Sequence, residues 1–336
     1  MKIITDYDGS SIEVESYNKE TNSIELSLRR ENGEYSQYYN FFVENKEDKE
    51  GIIHIHNIKL SKYYEKDSIY LPYFKVNDKW ERISKEQFEV KDNELIIKIK
   101  PLQNGEISLV PRYTQNDLDK FTEKLKKYDF IKVYNEILTK IEIGKSTNPT
   151  IFVIGRQHPG ETLSSFFIEG MIQSIIENKL YEKNHFVIYP IVNTVGVKEG
   201  CHRYVNGVDF NRSWNVTNPP KEIQYLKKEL ASYKVKYFID VHNDEITPMD
   251  YIRANGKFNY EQIADLKVLK SMSPLYRLIR GIVKQRKIVD IHSKTAREYV
   301  RKKYKCISIL IELSMNSEDD ICRNKGYNFI FELIKR

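Results

Sequence analysis

The sequence predicts an α/β protein: an N-terminal antiparallel β-sandwich domain over residues 1–112, then an α/β/α domain over 113–336 built on a mixed sheet. Three observations lead there. Up to about residue 112, short runs of period-two apolarity alternate with polar turns, the pattern of an all-β sandwich. From about residue 149, apolar runs of strand length alternate with amphipathic helices, which places helices on both faces of a sheet. Between them, Pro101 and Pro111 bracket the change of pattern.

The elements follow in order. In the first part the clearest strands are 23–28, 38–43, 51–56 and 94–99. His54 and His56 share one face of the third strand. An i, i+2 histidine pair can bind metal, but the 51–56 strand carries no carboxylate or third histidine, so the pair reads as structural. Thr114-Gln-Asn-Asp117 resembles a capping box with Asp in place of Glu or Gln. The helix it opens carries Leu118, Phe121, Leu125, Tyr128 and Ile131 at steps of three and four. Strands are then expected at 151–154, 186–192, 237–241 and 307–313, apolar enough to be buried on both faces. Helices are expected over about 162–178, 221–233, 259–286 and 318–335. There is no internal repeat and no low-complexity linker.

Composition bounds the function. The 336 residues are 40% hydrophobic and 30% charged, enough for a core and unlike a disordered chain. Mean hydropathy is −0.58, and no apolar run approaches the roughly 20 residues that span a bilayer. The N-terminal stretch MKIITDYDGSSIEVES lacks the apolar segment of a secretory signal. The expectation is a cytoplasmic protein with no membrane partner. The 3 cysteines are odd in number and not spaced like a zinc knuckle, which fits a reducing compartment. A net charge of +6 is mild against 54 basic and 48 acidic residues. The basic runs at 124–127 and 301–303 read as solvated faces, so no nucleic-acid partner is expected. The excess also fits an acidic peptide. Oligomeric state is not encoded legibly.

The unusual polar residues fall at strand ends, where open α/β sheets bind ligands. His158 and Glu161 follow the 151–154 strand in GRQHPGET, His242 ends FIDVH, and Glu312 interrupts an otherwise apolar strand. An unpaired buried carboxylate is costly. Zinc accepts imidazole and carboxylate donors, and a catalytic site uses three protein ligands. His158 and Glu161 would form the short-spaced pair and His242 the third ligand, with Asp240 or a backbone carbonyl orienting an imidazole. Glu312 could then move a proton. Taken alone, HxxE more often marks a polar turn. The segment CHRYVNGVDFNRSW at 201–214 adds Arg203, Asn211 and Arg212, residue types that grip a carboxylate or polarise a carbonyl. A surface loop with ordinary salt bridges is the alternative.

HPGE at 158–161, GVDFNRSW at 207–214 and FIDVH at 238–242 resemble the zinc carboxypeptidases of the M14 family, most closely its cytosolic carboxypeptidase branch. That branch has a β-sandwich before its catalytic domain and a tyrosine-threonine motif at the junction, similar to Arg112-Tyr-Thr-Gln-Asn-Asp117. The resemblance implies a zinc carboxypeptidase catalytic domain at 113–336 that hydrolyses the C-terminal bond of a peptide or protein. It implies Zn2+ held by His158, Glu161 and His242. Arg203 would stabilise the oxyanion. Asn211 and Arg212 would hold the terminal carboxylate. Glu312 would be general base and acid towards zinc-bound water. Arg297, fifteen residues before Glu312 in a segment similar to the family's specificity segment, would select an acidic side chain. Two departures stand out. The tyrosine that closes over substrate in many members has no counterpart in RKIVDIHS at 286–293, leaving Tyr299 and Tyr304 as alternatives. Asn243-Asp-Glu245 follows His242 where some relatives have glycine. Two other readings use the same residues: an amidohydrolase of the aspartoacylase and succinylglutamate desuccinylase type acting on a small N-acyl amino acid, and a non-catalytic peptide-binding module.

Overall fold

The computed structural model describes residues 1–33, 35–64, 70–246, 250–255 and 294–334, with the backbone alone at 253–255. The helix expected over 259–286 and the stretch at 286–293 lie outside the described residues. The chain divides into two compact units, Met1–Thr114 with Val195–Gly207, and Gln115–Thr194 with Val208–Arg336.

The first unit is built from β1 (Lys2–Ile4), β2 (Glu13–Asn18), β3 (Ser23–Ser27), β4 (Asn40–Glu44), β5 (Gly51–His56), β6 (Tyr73–Val76), β7 (Lys79–Arg82), β8 (Phe88–Lys91), β9 (Glu94–Ile99) and β10 (Asn104–Ser108). They form two five-stranded sheets, β1-β4-β10-β6-β7 and β2-β3-β5-β9-β8. Period-two patterning has the expected outcome. Ile53 and Ile55 of β5 and Leu95 and Ile97 of β9 are buried, while Ile52, His54, His56 and Ile96 are half-buried on the opposite face. One pairing departs from the antiparallel expectation: β3 and β5 run parallel. The intervening β4 belongs to the other sheet, and two reversals of direction bring β5 back alongside β3 in the same sense.

The 195–207 segment is fixed onto this unit by short-range bonds. The Gly9 N–H donates to Lys198 O at 2.8 Å. Gly200 sits at φ +63°, and a Cβ there would lie 2.2 Å from Ser10 O, so only glycine allows this approach.

The second unit holds a seven-stranded mixed sheet. Its strands are β11 (Ile131–Asn135), β12 (Thr139–Ile143), β13 (Thr150–Gly155), β14 (His185–Tyr189), then, after the two-residue β15 (Tyr204–Val205) and β16 (Val208–Asp209), β17 (Val235–Asp244), β18 (Tyr251–Asn255) and β19 (Ile307–Ser314). The order is β11-β12-β14-β13-β17-β19-β18. The central strands β14, β13, β17 and β19 are parallel, and antiparallel strands flank them. Among the described residues the α-helices are α1 (Gln115–Leu125), α2 (Leu163–Glu177), the short α3 (Thr194–Lys198) that leads into the 195–207 segment of the first unit, α4 (Lys221–Ala231), α5 (Ala296–Tyr304) and α6 (Asp319–Ile334).

Phe152, Ile154, Val187 and Phe238 pack with Ile223, Leu226 and Leu230 of α4 and Ala296 and Val300 of α5. The alternate residues of β13 turn to the other face, where Gly155 meets Ile168 of α2. There α2 and α6 cross at backbone distance: a Cβ on Gly170 would lie 1.9 Å from Arg323 O, and one on Gly326 1.9 Å from Phe167 O. Two expected boundaries move. The first helix ends at Leu125, and Ile131 pairs with Ile143 in the β11–β12 hairpin, because a β-branched run gains more from the ladder. The strand expected over 186–192 stops at Tyr189, before Pro190.

Candidate metal centre

Three parallel strands end together and deliver the site. The loop after β13 carries His158 and Glu161, β17 carries His242, and the β17–β19 register pairs His242 with Glu312. Each of the buried residues His158, Glu161 and His242 offers one donor atom within 4.8 Å of the others. His158 Nδ1 lies 2.6 Å from Glu161 Oε1, and His242 Nδ1 lies 2.7 Å from Glu161 Oε2. The outward nitrogens are backed by carboxylates: His158 Nε2 is 3.1 Å from Asp209 Oδ1, and His242 Nε2 is 3.0 Å from Asp240 Oδ1. Two imidazoles that turn one nitrogen to a shared carboxylate and the other to a buried acid form a donor set suited to a borderline divalent ion.

The loop is shaped by its own residues. Arg156 is buried at φ +55°, a conformation that costs about 1 kcal/mol or more outside glycine. Its Nε donates to Pro159 O at 2.8 Å and its Nη1 to Ser165 Oγ at 3.0 Å, which ties the loop to the start of α2. Glu161 stands just before α2, where the helix dipole favours a carboxylate, and Asn243 Oδ1 accepts the Ser164 N–H at 3.2 Å. The Asn243 that follows His242 therefore braces the first turn of α2. β17 itself continues to Asp244 rather than ending at His242.

Gln157 organises the second histidine. Its Nε2 donates to both oxygens of Asp240, at 2.8 and 2.9 Å, while its Oε1 accepts the Trp214 Nε1–H at 2.7 Å. Asp209, Gln157 and Trp214 were not among the expected site residues. All three fall inside the quoted motifs, but their roles depend on which side chain each faces.

Electrostatics follow from burial and pairing. Burial alone would lower both imidazoles. The Glu161 and Asp209 carboxylates outweigh it at His158, and Asp240 and Glu161 do so more strongly at His242, so both are raised. Burial raises Glu161, yet the two imidazoles hold it well below the usual carboxylate range. Glu312 is half-buried. Loss of solvent is the main cause of its shift, opposed by His242 and reinforced by Glu161, and its carboxyl is pushed up to about 8.

The other expected residues are placed as follows. Asn211 is buried. Its Oδ1 accepts the Ala296 N–H at 3.0 Å and its Nδ2 lies 3.2 Å from His242 Nε2. Arg212 is exposed, with Nη1 donating to Asn211 O at 3.0 Å. Arg297 is buried in the first turn of α5. Tyr299 packs on Trp214 with ring centroids 5.8 Å apart, and Tyr304 donates to Lys227 O at 3.4 Å. Arg203 belongs to the first unit, where Glu31 accepts the Arg203 N–H at 2.9 Å, the Tyr204 N–H at 3.0 Å and the His202 N–H. Glu31 is thus a buttress for this loop that local sequence could not reveal, because it lies over 170 residues away.

The mixed sheet flanked by helices is a fold shared with solved metallocarboxypeptidases. A metallo-carboxypeptidase from Burkholderia cenocepacia superposes with a TM-score of 0.85 at 17% identity over 99% of this chain and 98% of that one. The family model for the cytosolic carboxypeptidase N-terminal domain matches residues 3–109. Mouse cytosolic carboxypeptidase 1 is 39% identical over 79 residues, 22% of this chain and 6% of the relative. Mouse cytosolic carboxypeptidase 6 is 33% identical over 112 residues, 32% of this chain and 20% of the relative. The chain is similar to the M14 cytosolic carboxypeptidases over its N-terminal domain and over shorter matched stretches, and it spans well under two thirds of the length of either mouse relative. Among the described residues no helix is long and apolar enough to cross a membrane.

Proposed function

We propose that this chain is a zinc-dependent carboxypeptidase that hydrolyses the C-terminal bond of a peptide or protein and prefers an acidic terminal side chain. The observation that carries the reading is the buried His158, Glu161, His242 triad with Glu312 adjacent on the next strand. A bound Zn2+ supplies Lewis-acid activation of water and of the scissile carbonyl. Nδ1 of each histidine and the Glu161 carboxylate are the donors. Asp209 and Asp240 accept the Nε2 protons and so fix each imidazole in the tautomer that leaves Nδ1 free to bind. Glu312, made more basic by burial, takes a proton from the attacking water on its carboxylate and passes it to the leaving amine.

Asn211 and Arg212 are assigned to the terminal carboxylate, and Arg203 to the oxyanion on its motif alone. Arg297 is assigned to the acidic side chain. A guanidinium in the first turn of a helix opposes the dipole, so its buried place there favours a role beyond helix stability. A cytoplasmic location is part of the reading and rests on the likeness to cytosolic carboxypeptidases.

The test is the metal content of the purified protein together with turnover of peptides differing only in the last residue. One zinc in the triad and release of terminal Glu or Asp are expected. Zinc with release of another residue removes Arg297 as the selector. Zinc without peptide cleavage shifts the activity to small N-acyl amino acids. A triad that takes up no zinc overturns the reading.

A further inference from the structure

The half-buried face of the sheet β2-β3-β5-β9-β8 gathers a second set of metal-binding side chains. The ladder brings together residues that sequence keeps apart. Parallel pairing sets Glu25 of β3 opposite His54, and antiparallel pairing sets Glu94 of β9 opposite His56. The side chains then reach along the diagonals. His56 Nε2 lies 2.8 Å from Glu25 Oε2, and His54 Nδ1 bonds Glu94 Oε1. Donor atoms of Glu25, His56 and Glu94 all lie within 4.8 Å of one another, and His54 joins them through Glu94.

We propose that Glu25, His56 and Glu94, with His54 held against Glu94 at the edge of the cluster, form a second divalent transition-metal site, which clamps the three central strands of this sheet together. One imidazole and two carboxylates converge here, and the imidazole favours ions of the zinc and cobalt type over calcium or magnesium. Side-chain exposures of 25% for His54, 27% for Glu94, 37% for His56 and 34% for Glu25 leave the donors reachable from solvent. Beyond these two His–Glu pairs, the Glu25 and Glu94 carboxylates both come within 4.8 Å of His56.

The site is tested by titrating the chelator-stripped full chain with Co2+, followed by visible absorption, calorimetry and metal counted after gel filtration. Wild type is expected to take up two equivalents. His54→Gln/His56→Gln should lose one equivalent while keeping the buried triad. His158→Ala/His242→Ala should lose the other, and in that variant Co2+ should still raise the unfolding temperature. Equal uptake by wild type and His54→Gln/His56→Gln overturns the proposal, as does a triad-less protein that takes up none. The equivalent lost with His54 and His56 decides the matter whether or not the buried triad binds metal. Should either double variant fail to fold, wild type against Glu25→Gln decides. A tenfold or greater weakening of one equivalent supports the site, and superimposable titrations overturn it.

Discussion

The chain carries two clusters of histidine and carboxylate built by the same device and differing in depth. In one, strand ends and a tight loop bring His158, Glu161 and His242 into the interior, with Asp209 and Asp240 behind them. In the other, the middles of three strands present Glu25, His54, His56 and Glu94 on a half-exposed face. Burial turns the first into a strongly coupled charge assembly, whereas solvent screens the second. The lesson is that residue type decides whether metal can bind. Depth and the second row decide how tightly the site is poised and what it can do to a substrate.

The largest expected effect is the pH dependence of metal uptake by the triad. Its two imidazoles are raised in the metal-free protein, so a divalent ion must displace up to two protons and leaves the buried net charge unchanged. Affinity should therefore rise with pH by up to about a hundredfold per unit, and level off above the raised values. Metal-free stability has the opposite sign. A raised histidine stabilises fully below its unfolded value of about 6.5 and loses that contribution as pH climbs through the folded value. Calorimetry in buffers of different ionisation enthalpy reads the proton release, and a flat profile would break the contrast.

Next comes chemistry. Glu312→Gln should retain the metal and lose about a thousandfold in kcat. Full activity in that variant would remove Glu312 as the proton carrier. Asp240→Asn should weaken metal binding by about 10–100-fold through the misplaced His242 tautomer, and an unchanged dissociation constant would show that the second row is not what sets the triad apart. Gly170→Ala forces apart the α2–α6 crossing behind the triad and should destabilise the protein by about 3 kcal/mol, while leaving a Co2+ titration of Glu25, His54 and His56 unaltered. Urea denaturation and the titration check the two halves of that expectation.

Much of the fold was legible because its signals are local. Continuous apolar runs marked β13, β17 and β19, and period-two runs marked β3, β5 and β9. The first helix was read too long because Tyr128 and Ile131 continue its spacing by coincidence, and only the pairing of Ile131 with Ile143 shows where the helix has given way to a ladder. The parallel β3–β5 pair was hidden because the strand between them joins the other sheet. Sequence spacing put His158 and Glu161 on one loop. It could not show that Asp209 faces His158, or that Gln157 links Trp214 to Asp240.

The histidines at 54 and 56 make the same point most plainly. From sequence they stood without a carboxylate, yet Glu25 and Glu94 reach them from strands 31 and 40 residues away. Taken by itself, the sequence determined which segments are strands and helices, which side chains can donate to a metal, and which motif the buried donors belong to. These follow from periodicity and residue chemistry, both of which act within a few positions along the chain. Tertiary structure alone decided strand register, the nitrogen each imidazole turns inward, and the carboxylate each one meets. Those are fixed by non-local pairing, where a shift of one residue would carry every donor to the opposite face of its sheet.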